Sequence, residues 1–118
     1  TFSQLAREFD YQNGRTDIVG IGQDDCIYAF EAKLVKWRQA IDQAYRNTCF
    51  AHYSYVALPE PVALRALECR SEFERRHVGL FGVSGSALQL YISAVRNEPI
   101  LEWVADNALR YVKEYADE

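Results

Sequence analysis

Cysteine is scarce in this chain, and what there is does not cluster. Cys26, Cys49 and Cys69 are odd in number and widely spaced. There is no CxxC and no Cys/His group at ligand spacing, which argues against a structural zinc site. Each cysteine has apolar neighbours, the ordinary setting of a free buried thiol. A reducing, cytoplasmic setting is the expectation that follows. Long apolar runs are missing as well. None approaches the roughly 20 residues of a membrane span, and no stretch reads as a signal peptide. Positive charge is in deficit: 13 Lys+Arg against 17 Asp+Glu give a net charge of -4 and a pI near 5.2. A domain that coats nucleic acid through bulk positive charge is thereby disfavoured.

Several familiar motifs are also absent. Gly79, Gly82 and Gly85 are not followed by Lys-Ser/Thr, so they form no phosphate loop. Around Ser84 the second glycine comes one place too early for a nucleophile elbow. His52 and His77 have no partner at ligand spacing. Low-complexity segments and repeats of 20–50 residues are lacking.

What remains is a chain of 118 residues, 49% of them hydrophobic, which predicts one folded domain over 1–118. It begins at Thr1 without Met, as a processed chain or a piece of a longer one does. Thr1 and Gln4 read as a capping box, and Phe2, Leu5, Ala6 and Phe9 recur at helical spacing, predicting a first helix. Gln12-Asn13-Gly14 is a turn signal. Two strand-like runs follow, 16–21 and 26–34, joined by a tight hairpin over 22–25. Trp37, Ala40, Ile41, Ala44 and Thr48 share one face of a helix over about 35–51. A β-branched and aromatic run at 53–58 ends at Pro59-Glu60-Pro61, and a helix over about 61–76 follows. Strands at 78–83 and 87–92 and a last amphipathic helix complete the chain. The order α-β-β-α-β-α-β-β-α predicts an α/β domain, a mixed sheet flanked by helices. The strand at 53–58, reached through a helical crossover, is expected parallel to its predecessor.

The hairpin carries the chemistry. Centring its turn on Asp24 pairs Gly22 with Cys26, Val19 with Ala29 and Asp17 with Glu31. Asp17 and Glu31 then share a face, with Cβ atoms roughly 5 Å apart. Lys33 lies two residues beyond Glu31, on the same face. Ile18, Cys26, Tyr28 and Phe30 are left for the opposite face, read as the helix-covered core. Opposed carboxylates repel, and an apolar strand setting worsens the repulsion by desolvation. A hard divalent ion such as Mg²⁺ or Mn²⁺ relieves it. Such an ion polarises a phosphoryl oxygen and acidifies a bound water. Lys33 is suited to orient that water or neutralise charge on phosphorus. A one-residue slip of the hairpin would put the two acids on opposite faces and leave a structural domain.

The run Asp17-Ile18-Val19-Gly20, then a hairpin, then Phe30-Glu31-Ala32-Lys33 and a glutamine-bearing helix, resembles the PD-(D/E)XK nuclease superfamily, restriction-endonuclease-like. The likeness covers residues 1–83, with 84–118 as an elaboration. Thr16 stands where the family often has Pro. The resemblance implies an α-β-β-β-α-β core, metal held by Asp17, Glu31 and the Ala32 carbonyl, and Lys33 as a catalytic residue. It further implies an acidic residue on the first helix reaching the metal, matched by Glu8. A glutamine after the Lys is matched by Gln39 or Gln43, and Gln43 lies nearer the apolar stripe. The function implied is a Mg²⁺- or Mn²⁺-dependent nuclease hydrolysing phosphodiester bonds in DNA. Arg15, Lys36, Arg38 and Arg46 are candidate phosphate contacts. The acidic balance motivates an alternative: a catalytically silent nuclease-fold module that binds nucleic acid or protein in a larger assembly. A homodimer is compatible with either reading, and no dimer face is evident.

Overall fold

A computed structural model describes residues 4–11 and 14–116. Three strands open it: β1 (Gln4–Tyr11), β2 (Gly14–Ile21) and β3 (Ile27–Ala32), paired antiparallel in sequence order. Helix α1 (Trp37–Asn47) crosses to β4 (Tyr53–Pro59), which is parallel to β3. Helices α2 (Glu60–Leu67) and α3 (Arg70–Glu74) lead to β5 (Val78–Ser84), parallel to β4. A hairpin adds β6 (Ala87–Ile92) antiparallel, and α4 (Glu102–Tyr115) closes the chain. The sheet order is β1-β2-β3-β4-β5-β6. Successive strands advance in one direction, so crossovers of one hand place α1 and α2 on the same face.

The buried residues confirm that placement. One core cluster joins Val19, Ile27 and Ala29 of the sheet to Val104, Ala108 and Val112 of α4. The other joins Val56, Leu58 and Leu80 to Ala40, Ile41 and Ala44 of α1 and to Val62, Ala63 and Ala66 of α2. Strand alternation puts all these sheet residues on one side. The other side carries Ile18, Tyr28, Phe30, Tyr53, Tyr55 and Phe81, half-buried against one another. Tyr28 stacks on Tyr53 at 4.8 Å between ring centroids, and Tyr55 meets Phe81 at 4.9 Å. Leu88 and Leu90 continue this face. No helix covers it among the described residues.

Three expectations are corrected. The predicted first helix is the strand β1; Thr1, Phe2, Gln12 and Asn13 lie outside the described residues. The helical spacing of Ala6 and Phe9 has a local cause. Glu8 takes φ 56°, which interrupts alternation, so residues three apart both point inward. The element order is therefore β-β-β-α-β-α-α-β-β-α. The single helix expected over 61–76 is broken at Glu68 and Cys69 into α2 and α3. Finally, Ile18, Tyr28 and Phe30 occupy the open face, and the helices cover the face that holds Val19, Ala29 and Glu31.

Candidate functional site

The β2–β3 ladder runs to Ile18 and Phe30, and Asp17 and Glu31 are the next residues on the two strands. Asp17 N donates to Glu31 Oε2 at 3.3 Å, and Ala32 N donates to Asp17 Oδ2 at 3.0 Å. Each acid thus accepts from the main chain of the other's strand. Glu31 is only 2% exposed because its face lies under the helices. Burial pushes its carboxyl up to about 7; the adjacent Asp17 charge adds to this and an N–H from Asn47 opposes it.

Asn47 is the residue that the sequence reading missed. It is fully buried in the last turn of α1 and donates from Nδ2 to Glu31 Oε2 at 2.8 Å. Its Oδ1 accepts from Thr16 Oγ1 and from Tyr11 Oη, both at 2.8 Å. Burial raises the Tyr11 phenol, keeping it a hydrogen-bond donor. Tyr11, Thr16, Asn47 and Glu31 form a chain of satisfied buried polar groups. A signal was present: Asn47 continues the Ala40, Ala44 stripe at helical spacing, a polar residue in an apolar row.

The other candidates are distributed around this pair. Lys33 follows the end of β3, is exposed, and makes no ion pair among the described residues. It lines a cavity of about 750 Å³ with Ala32, and its amine makes no hydrogen bond or ion pair with either acid among the described residues. Gln43 donates from Nε2 to the Arg15 carbonyl at 2.7 Å and accepts from Arg46 at 3.3 Å. It therefore anchors the start of β2, two residues before Asp17. Gln39 is exposed on the cavity wall. Glu8 is not on a helix. Its carboxylate is exposed and faces Arg15 at 3.7 Å, because the positive φ turns it out of the strand pattern. It does not join the acid pair.

The donor set fits a hard cation in kind. Glu31 Oε2 and Asp17 Oδ2 are held by N–H groups, while the second oxygen of each carboxyl receives no N–H donor among the described residues. Asp17, Glu31 and the Ala32 carbonyl are the oxygens that would hold the ion, with water filling the remaining positions. Among the described residues no cluster of three or more His, Cys, Asp or Glu side chains joins them.

Fold and site together define a two-layer α/β domain with a carboxylate pair at the end of its β2–β3 hairpin. No protein-family model matches the chain, and no curated protein does. Among solved structures it is similar to SPO1766, a protein of unknown function from Silicibacter pomeroyi. That likeness has a TM-score of 0.65 at 15% identity and covers 94% of this chain and 69% of the other. It is a likeness of fold.

Proposed function

We propose that this domain is a metal-dependent nuclease of the PD-(D/E)XK kind, hydrolysing phosphodiester bonds in DNA in a reducing, cytoplasmic setting. One observation carries the reading: Asp17 and Glu31 are held face to face, with Glu31 buried at a carboxyl pKa of about 7. An acid kept there with no cationic partner among the described residues is costly unless the site is used. The order β-β-β-α-β, with the last strand parallel to the third, supports it as the part of the family core seen in the described residues. A bound Mg²⁺ or Mn²⁺ would polarise a phosphoryl oxygen and acidify a water. Asp17, Glu31 and the Ala32 carbonyl would hold the ion. Lys33, free of ion pairs among the described residues, stands on the rim to orient the water or neutralise the phosphate. Gln43 and Asn47 act as positioning residues, on the Arg15 backbone and on Glu31.

The test is nicking of supercoiled plasmid by purified protein with Mn²⁺ or Mg²⁺. Cleavage should vanish in chelator, in Asp17→Asn and in Lys33→Ala, with the melting curve of the lysine variant unchanged. Cleavage that survives Asp17→Asn refutes the site. A second reading is a silent binding module, favoured by the uncovered aromatic sheet face and by the presence of only two clustered carboxylates among the described residues. It expects no cleavage and no rise in melting temperature with millimolar Mn²⁺, whereas an ion that binds the native state raises it.

A further inference from the structure

The cavity next to the acid pair has a character of its own. It opens at the C-terminal ends of β3, β4 and β5, where open parallel sheets place their ligands. Ala32 links it to the site: this residue lines the cavity and donates its N–H to Asp17 Oδ2. Its walls combine two chemistries. Leu34, Val35, Leu58 and Pro59 are apolar, and Leu34 and Val35 are 78% and 67% exposed. These two neighbouring side chains give the cavity mouth an apolar rim. The polar lining is Lys33, Lys36 and Gln39, with no carboxylate. Six cations elsewhere meet acids, Arg15, Arg70, Arg75, Arg76, Arg96 and Lys113, while Arg38, Arg46, Arg65 and Arg110 form no ion pair among the described residues. Lys33 and Lys36 form no ion pair among the described residues. In a protein of net charge -4, two unpaired ammonium groups around an apolar wall select an anion that carries a flat or apolar body.

We infer that this cavity takes one unpaired nucleotide of the substrate strand, its phosphate toward Lys33 and Lys36 and its base against Leu34, Val35 and Pro59. The inference deepens the nuclease reading and rests on it for the identity of the anion. The volume, about 750 Å³, suits a small-molecule site and admits a nucleotide or two. The substrate class is thereby single-stranded DNA, or an end or damaged position from which a base can leave the stack.

The experiment measures binding in chelator, where no cleavage can occur, with a fluorescein-labelled oligothymidylate and a blunt duplex of equal length. The single strand should bind at least about tenfold more tightly than the duplex. Excess thymidine monophosphate should compete, and oleate should not. Leu34→Ser with Val35→Ser, and separately Lys36→Ala, should each weaken single-strand binding about tenfold and leave duplex binding unchanged. All three positions are exposed, so the variants should melt as the parent does. Equal affinity for the two DNAs, variants that bind as the parent does, or competition by oleate alone overturns the inference. Plasmid nicking without single-strand preference defeats the pocket and leaves the nuclease. Single-strand preference without metal-dependent cleavage does the reverse.

Discussion

Replacing Glu31 with Gln removes a titration while keeping the shape of the side chain. In the wild type the folded-state carboxyl sits at about 7 against an ordinary 4.5, chiefly through burial. The folded pKa is the higher one, so between these values the native state holds a proton that the unfolded chain has released. Stability therefore falls as pH rises through that window. The full loss, reached above the folded value, is about 3 kcal/mol. The Glu31→Gln variant has no such loss. Its amide oxygen can accept from Asn47 Nδ2 and from Asp17 N, and its NH₂ can donate to the Asp17 carboxylate. In chelator the two proteins should be equally stable near about pH 4.5, and Glu31→Gln should be more stable by about 3 kcal/mol near about pH 8.5. For a domain of this size that difference is about 12 °C in melting temperature. Urea denaturation at both pH values, with unchanged m-values, is the assay. A gap that does not widen with pH, or a less stable glutamine variant at the alkaline end, refutes the reasoning. Adding Mn²⁺ should narrow the gap, because only the wild type offers both carboxylates to the ion.

Asn47→Ala deletes three hydrogen bonds, two buried and one half-buried, one of them to Glu31, and should cost about 3–5 kcal/mol by urea denaturation; a loss under about 1 kcal/mol would show that water replaces the amide. The same change removes the side-chain N–H that draws the Glu31 carboxyl down, so the pH window of instability should move to higher pH. Gly79→Ala places a Cβ against the Tyr55 ring and 2.7 Å from the Ala94 backbone nitrogen. It should cost about 1–3 kcal/mol in thermal melts, since the backbone on one side cannot yield as a flexible side chain would. Gln43→Ala frees the Arg15 carbonyl at an exposed position and should cost about 1 kcal/mol or less. Its larger effect should be on cleavage, by loosening the strand that presents Asp17.

Local patterns made much of the fold legible. Gly22 to Asp25 marked a turn whose centre sets the β2–β3 register, and that register brings Asp17 and Glu31 to the end of the ladder, where they meet. The helical stripe through Ala40, Ile41 and Ala44, the prolines at the junction of β4 and α2 and the apolar spacing of α4 likewise announced their elements. Errors arose where one backbone angle changed the meaning of a pattern. Ala6 and Phe9 look helical because Glu8 leaves the strand conformation between them. The break between α2 and α3 had no proline or glycine to announce it.

The amino-acid order by itself determined which residues could meet along neighbouring strands, because hairpin register is a local property of the turn and the alternation around it. Which side of the sheet would be covered was decided only by the tertiary structure. Both faces of β2 and β3 are apolar, and the choice depends on the path of the crossovers and on where α1 and α4 come to rest. That choice buries Glu31 beneath Asn47, raises its affinity for a proton, and leaves the aromatic face to solvent.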